Sequence, residues 1–447
     1  MTIKLPEKVR YILKTIEAAG FEAYAVGGCI RDSLLNRIPE DWDITTSAEP
    51  QQVKSLFKRT VDTGIQHGTI TIMLDKEGFE VTTYRIDGEY EDGRHPKQVQ
   101  YTADIVEDLK RRDFTINAMA YSEKQGLIDV FHGLEDLREG IIRCVGNPRE
   151  RFTEDALRMM RAVRFSAQLG FAIDTATRET IKELAPTLSC ISAERIQMEL
   201  VKLLLSPHPD FLRVAYDTGI TKVILPEFNR VMETPQNHPH HCYSVGEHIL
   251  HSLLEVPSDK VLRLSMLFHD IAKPDTLSID QEGITHFYEH QSKSADMSRI
   301  ILRRLRMDNS TIDQVYKLVY YHDYGNDVEP SKRIVRRAIY KIGEDLFPSL
   351  LLVRRADILA QSTYLKEEKL SNLEAWNKCY EKIVETEECV SLKTLAVNGS
   401  DLIAEGITKG KQIGVILNLL LEEVLEEPEK NNKEYLLKKA LETASER

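Results

Sequence analysis

The sequence predicts an α+β protein: a small mixed or antiparallel sheet near the amino terminus, followed by helices for the rest of the chain. Three observations carry this. Short runs rich in β-branched residues, separated by turns, fill the first third. From residue 154 onward apolar residues recur with the 3.6-residue period of helices almost to the end. Between the first helix and these strands lies a Gly27-Gly28 turn, followed at short range by Asp41-Trp42-Asp43.

In order, residues 7–19 form an amphipathic helix and residues 23–26 a short apolar strand running into Gly27-Gly28. Residues 30–36 supply one or two helical turns, and residues 42–46 the next strand. Further strands are expected at 69–74, 79–85 and 127–130, with a polar, mobile loop at 88–96. The helical part opens with 154–169, 174–184 and 193–205 and is interrupted by a Pro/His-rich connector at 234–241. Residues 366 onward read as a charged helical tail with an acidic stretch at 422–429. The organisation expected is 1–148, 149–208, 209–365 and 366–447.

A chain of 447 residues has room for more than one core. Its net charge of −12 argues against a protein that coats nucleic acid indiscriminately, leaving Lys110-Arg111-Arg112 and residues 299–306 as local basic surfaces. The six cysteines contain no C-x-x-C pair, which points to reduced thiols in a cytoplasm rather than to a disulfide framework or a zinc knuckle. No signal core or membrane-length apolar run is present.

The chemistry concentrates in three segments. Adjacent Gly27 and Gly28 let backbone N–H groups approach an anion at the start of a helix, and Arg31 adds a guanidinium suited to phosphate oxygens. In a strand, Asp41 and Asp43 share a face while Trp42 points into the fold. Paired carboxylates beside a phosphate cradle are what Mg²⁺-dependent phosphoryl or nucleotidyl transfer requires. Glu80 is the candidate third carboxylate. In Arg111-Arg112-Asp113 through Asn117, the arginines suit a triphosphate and Asp113 a ribose hydroxyl.

On a continuous helix Asp155 and Arg158 lie on one face. A salt bridge between them is the simple reading. The chemical one is that a carboxylate acceptor beside a guanidinium donor matches the amino group and ring nitrogen of cytosine and adenine, and mismatches uracil and guanine. Arg161 lies one step further round. Arg164, about half a turn from Asp155, suits phosphate or structure better than a base edge.

Residues 27–32 with Asp41 and Asp43, 111–120, 154–158, and Ala193-Glu194-Arg195-Ile196 before Glu199 and Lys202 together resemble the bacterial class II CCA-adding and poly(A) polymerase family. The resemblance implies a polymerase-β-like nucleotidyltransferase head followed by helical neck, body and tail, with CTP and ATP as donors and a tRNA 3′ end as acceptor. It also implies Mg²⁺ on Asp41 and Asp43, triphosphate on Gly28, Arg31 and Arg112, and a nucleotide site of Asp155, Arg158, Arg161 and Arg164. In the carboxy-terminal half, His248, His269-Asp270 and Asp357 resemble the ligands of the HD phosphohydrolase superfamily, and His290 and His322 match the extra ligands of its two-metal members. That implies a divalent metal and hydrolysis of 2′,3′-cyclic or other small phosphate esters. His238, His240 and His241 read either as a rim of the same cleft or, more simply, as connector residues. The other readings are a CC-only or A-only enzyme, a poly(A) polymerase, a hydrolase with a nucleotide-sensing head, or a nonenzymatic RNA-binding protein. The resemblance implies addition of all three nucleotides, since CC-only members of the family tend to have a reduced loop where this chain keeps the polar segment 88–97.

Overall fold

The computed structural model describes residues 2–87, 99–326, 328–407 and 410–445. The polar loop expected at 88–96 lies outside the described residues. The chain divides into two compact units, Met1–Pro226 and Glu227–Arg447.

In the first unit, α1 (Glu7–Ala18) buries Val9, Ile12, Leu13 and Ile16 along one stripe. A mixed sheet follows. Its strands are β1 (Ala23–Val26), β2 (Ile44–Thr46), β3 (Thr60–Gly64), β4 (Thr69–Leu74), β5 (Glu77–Thr83), β8 (Ala120–Ser122) and β9 (Gly126–Ile128), in spatial order β3-β4-β5-β2-β1-β8-β9. A separate ribbon pairs β6 (Arg85–Asp87) with β7 (Val99–Tyr101). All neighbours in the large sheet are antiparallel except β2 and β5, whose parallel pairing sets Ile44 beside Val81. Every residue of β1 is buried, as its apolar sequence requires of a central strand.

The short helices α2 (Gly28–Leu34), α3 (Pro50–Leu56), α4 (Ile105–Lys110) and α5 (Gly133–Glu139) connect these strands. Glu49 and Gln52 form a capping box on α3, and Asp104 caps α4. Four longer-range helices follow: α6 (Pro148–Glu154), α7 (Leu157–Leu169), α8 (Thr175–Leu184) and α9 (Ala193–Leu204).

Several expectations need correction. The helix read at 154–169 is broken. Asp155 is extended (φ −147°, ψ 104°), and its carboxylate caps α7 by accepting the Leu157 N–H at 3.0 Å. A capping carboxylate competes with helix continuation, so α6 stops at Glu154. The strand read at 42–46 begins at Ile44, and Trp42 is half-buried at a surface cavity with Leu5, Leu34, Ile38 and Pro39 rather than pointing into the core. The helix at 30–36 starts two residues earlier, at Gly28; the strands at 79–85 and 127–130 end earlier, at Thr83 and Ile128. Two ribbons, Ile141–Ile142 with Ala172–Ile173 and Leu277–Ile279 with Thr285–Phe287, interrupt or flank the region expected to be helical.

The second unit packs the apolar helix Lys260–Phe268 against Val245–Leu254, Asn309–Tyr321 and Phe347–Leu359, with His290–Arg304 beside Asn309–Tyr321. Beyond residue 365 the chain is more than a charged tail. Leu402, Ile416, Leu420, Leu421, Val424 and Leu436 build a core of their own. The acidic stretch is engaged locally: Glu422 and Glu426 pair with Arg337, Glu426 also with Arg333, and Glu423 with Lys430. At the end of helix Asn309–Tyr321 the chain turns through Gly325 (φ +76°), where a Cβ would stand 2.3 Å from the buried Trp376 ring. Only glycine meets both demands.

Candidate functional site

The parallel register that puts Ile44 beside Val81 places Asp43, one residue back, beside Glu80 on the neighbouring strand. Asp41, Asp43 and Glu80 feel one another electrostatically. Asp43 takes up its proton more readily than a free carboxylate, through partial desolvation and repulsion from Asp41, with Arg112 opposing. Glu80 is raised by desolvation and then by Asp43 and Asp41. The three carboxylates repel one another, a charge pattern that a bound cation would relieve, and they are oxygen donors of the kind that Mg²⁺ takes.

The glycine turn stands beside them. Gly27 has φ +84°, and a Cβ on it would lie 2.8 Å from Arg112 Nη1, so the glycine is what lets the guanidinium approach the turn. The Gly28 and Cys29 N–H groups open α2, before any intrahelical acceptor is available. Arg112 is held from behind by the fully buried Asp108, which also accepts from Thr45 Oγ1 (3.1 Å) and Arg111 Nε (3.0 Å); burial lowers the Arg112 pKa, and its buried Nε has no hydrogen-bond partner.

A continuous polar network runs from here to the helices. Arg31 donates to both carboxylate oxygens of Asp32 at 2.9 Å and to Asn117 Oδ1 at 2.7 Å. Asn117 donates to Asp113 Oδ1 (3.2 Å), which also accepts the Phe114 N–H (2.9 Å). Asp113 Oδ2 receives Arg161 Nε and Nη2 at 2.8 and 2.5 Å. With these four donors the Asp113 carboxylate is saturated, so a ribose hydroxyl reaches it only by displacing one. Arg31, Arg161 and Arg164 surround the Phe165 ring, their guanidinium carbons 5.1, 5.4 and 3.9 Å from its centroid.

Because Asp155 ends α6, it and Arg158 do not share a helix face. They meet instead around the first turn of α7, where the Arg158 N–H donates to the Asp155 carbonyl at 3.0 Å. Asp155 Oδ2 holds Arg195 Nη2 at 2.7 Å, and Arg158 Nη1 holds Glu154 Oε2 at 2.6 Å. Arg164 is buried and donates to Glu199 Oε2 at 2.5 Å and Gln168 Oε1 at 2.7 Å, a structural setting in keeping with its position away from the base edge. Arg195 and Glu199 stand one turn apart on α9 and brace the α7 residues; their i,i+4 spacing was visible in the sequence, but no role followed from it.

Burial alone would raise Asp113. The Arg161 guanidinium, the Asn117 amide and Arg158 outweigh it and hold the carboxyl at about 2. Since an unfolded aspartate titrates near about 3.9, the unfolded chain takes the proton first on acidification. This group's stabilisation is therefore complete above pH of about 4 and lost as pH falls through about 2. Acid unfolding followed by circular dichroism is expected to be less steep in that window for Asp113→Asn. An unchanged pH slope would remove this assignment.

In the second unit all six sequence-read ligands converge. His248 Nε2 lies 3.0 Å from His269 Nε2 and 2.9 Å from Asp357 Oδ1, and His290 Nε2 lies 3.3 Å from His322 Nε2. Asp270 faces both pairs: Oδ2 is 3.3 Å from His269 and 3.6 Å from His248, while Oδ1 is 3.3 Å from His290 and 3.8 Å from His322. Each Nδ1 is turned to a backbone carbonyl: His248 to Ala360, His269 to Met266, His290 to Phe287 and His322 to Val319. That arrangement leaves the Nε2 lone pairs facing inward, as metal ligation demands. Burial disfavours charge on His269, but the Asp270 and Asp357 carboxylates outweigh it and raise the imidazole to about 10, a measure of how strongly the cluster attracts positive charge. The donor set fits a divalent ion. A cavity of about 220 Å³ opens onto it, lined also by Lys273, Lys369 and His286. His238, His240 and His241 line that cavity too, in keeping with the rim reading rather than the simpler connector one. Burial and the Lys273 charge keep His241 neutral, at about 2.

A sequence model of the poly A polymerase head domain matches residues 23–143. Two more, described as "Probable RNA and SrmB-binding site of polymerase A" and "tRNA nucleotidyltransferase domain 2 putative", match 170–232 and 276–440. The chain is 36% identical to a CCA-adding enzyme of Pediococcus pentosaceus, covering 96% of both, and 35% identical to that of Enterococcus faecalis, covering 95% of this chain and 93% of the relative. Against the CCA-adding enzyme of Limosilactobacillus reuteri it is 55% identical over 203 residues, and spans half that relative's length. Among solved structures, the Bacillus stearothermophilus CCA-adding enzyme in complex with CTP superposes with a TM-score of 0.73 at 28% identity, covering 99% of this chain and all of the other. A Thermotoga maritima CCA-adding enzyme complexed with tRNA shares the fold, with a TM-score of 0.60 at 21% identity over both full lengths. Among the described residues, no helix is long and apolar enough to cross a membrane.

Proposed function

The chain belongs to the CCA-adding enzyme and poly(A) polymerase family, and from that membership we propose that it adds C, C and A, without a template, to the 3′ end of tRNA from CTP and ATP. The observation that carries this reading is the β2–β5 register that sets Asp43 beside Glu80, within electrostatic reach of Asp41, with Arg112 close against Gly27 of the glycine turn.

Asp41 and Asp43, with Glu80 as the third carboxylate, would hold Mg²⁺. Bound there, the ion supplies Lewis acidity toward the tRNA 3′-hydroxyl and the leaving pyrophosphate. Gly27 and Gly28 offer N–H groups to the triphosphate, and Arg31 and Arg112 neutralise it. Asp113 and Asn117 fix Arg161 and Arg31, with the ribose hydroxyl competing for the Asp113 acceptor. Asp155 and Arg158 read the base around the start of α7, and Arg161 and Arg164 complete the wall of the nucleotide site. The protein chiefly positions and neutralises, as phosphoryl transfer asks of it. Residues 1–148 form the head, 149–208 the neck, 209–365 the body and 366–447 the tail that meets tRNA by backbone and shape. Free thiols throughout suit the cytoplasm.

Labelled CTP and ATP, supplied separately and together to tRNA lacking its terminus, test the reading, and sequencing the products separates full CCA addition from CC-only, A-only or poly(A) products. Replacing Arg158 with Ala is expected to lose about 10- to 100-fold of the discrimination against UTP and GTP, the worth of one charged hydrogen bond. Undiminished selectivity would overturn base reading by this pair.

The convergence of four tethered imidazoles on Asp270 favours a second reading for the carboxy-terminal unit, an HD-type phosphohydrolase centre. Lys273 and Lys369 give its cavity the charge to receive a phosphate ester. We expect divalent-metal-dependent phosphate release from 2′,3′-cyclic or other small esters, abolished by His269→Ala. Absence of turnover with any divalent metal would remove this activity.

A further inference from the structure

We propose that Asp323, outside the six residues read from the sequence, is a metal ligand that completes a second ion position at the carboxy-terminal centre. The inference rests on reading that centre as a metal site.

Asp323 Oδ2 lies 3.4 Å from His290 Nε2 and 3.7 Å from His322 Nε2. Those separations match the 2.9 and 3.7 Å by which Asp357 Oδ1 faces His248 and His269. Each imidazole pair thus has a carboxylate of its own, and Asp270 turns one oxygen toward each pair. Donors about 3–4 Å apart are what one ion with bonds of about 2.1 Å brings together.

The local chain repeats the same device. Helix Lys260–Phe268 ends in His269-Asp270, and helix Asn309–Tyr321 ends in His322-Asp323. In both, the histidine caps the helix and turns Nδ1 to the carbonyl three residues back, Met266 at 2.7 Å and Val319 at 2.6 Å. In both, the aspartate that follows is directed at Nε2 atoms. Asp323 is then oriented by uncharged donors: Gln291 Nε2 at 2.7 Å to Oδ2 and Asn326 Nδ2 at 3.0 Å to Oδ1. Asn326 is in turn held by the buried Arg354 at 3.2 Å. An amide orients a carboxylate without taking its place as the charge that a cation would meet. Asp323 lines the same cavity as Asp270, His290, His322 and Asp357.

Purified full-length protein, stripped of metal and reloaded with Mn²⁺ or Co²⁺, is expected to bind two ions per chain at this centre, after correction for ions lost with Asp41→Ala. Electron paramagnetic resonance of the Mn²⁺ form should show a coupled pair. Asp323→Asn should weaken one ion by more than about tenfold and abolish the coupling, while Asp357→Asn weakens the other. Because a variant can also lose metal by misfolding, Asp323→Cys is loaded with Co²⁺. A sulfur-to-cobalt charge-transfer band then reports ligation directly, and its absence in a chain with native circular dichroism would overturn the proposal. One ion in the unaltered protein, or two retained at unchanged affinity by Asp323→Asn, would also overturn it. No ion bound at all would defeat the underlying metal-site reading as well.

Discussion

Nucleotide addition by Asp43→Ala is expected to fall about a thousandfold or more, since losing a ligand to the catalytic ion forfeits about 4 kcal/mol of transition-state stabilisation. The folded state should hardly notice. Asp43 is solvent-accessible, and its place in the sheet is kept by its carbonyl, which accepts the Val26 N–H at 3.0 Å. Urea unfolding is therefore expected to agree with the unaltered protein within about 0.5 kcal/mol. Relief of the repulsion among Asp41, Asp43 and Glu80 acts in the same direction. Activity that survives the change would separate this carboxylate from the metal, whereas activity and stability lost together would make its role architectural.

Glu199→Ala is expected to act the opposite way, through the fold. Glu199 and Arg164 are 5% and 6% exposed, and their bond joins α9 to α7. Removing the carboxylate strands a buried guanidinium, which costs about 3–5 kcal/mol. Gln168 and the Phe165 face remain to Arg164, but neither carries a compensating charge. Chemical denaturation is the measurement. Glu199→Gln, which keeps an acceptor, should lose less, and combining Glu199→Ala with Arg164→Met should recover part of the loss. A penalty below about 1 kcal/mol would mean that water solvates Arg164 where the structure shows packing.

Much of this architecture was legible because local and long-range preferences agree. Val9, Ile12, Leu13 and Ile16 mark one helix face in any context, and residues 69–74 alternate as a strand should. Strands β3 and β8 were not legible. Thr60–Gly64 is mostly exposed and has no apolar rhythm, while Ala120–Ser122 is three residues long and owes its state to pairing with β1. Asp155 misled for a different reason: side-chain capping overrode a helical period that continues on both sides of it. Trp42 followed the alternation rule only on the assumption that the strand had already begun. In the histidine–aspartate cluster of the second unit, His269-Asp270 stood out after an apolar run. His322-Asp323 has the same form, yet its aspartate gained meaning only when His290 was found beside it. His238, His240 and His241 admitted both a rim and a connector reading, and only tertiary structure decides between them, since nothing local brings residues 238–241 to Asp270.

The single parallel pairing in the sheet bears on how this protein comes to be active. Asp43 and Glu80 are separated by α3 and the β3–β4 hairpin, and they become neighbours only when β2 and β5 align. Such non-local closure is slow compared with hairpin formation. During refolding, hairpin β4–β5 and the flanking helices should therefore acquire protected amides before catalytic competence returns. A partly folded chain would then bind no nucleotide productively, however much secondary structure it holds.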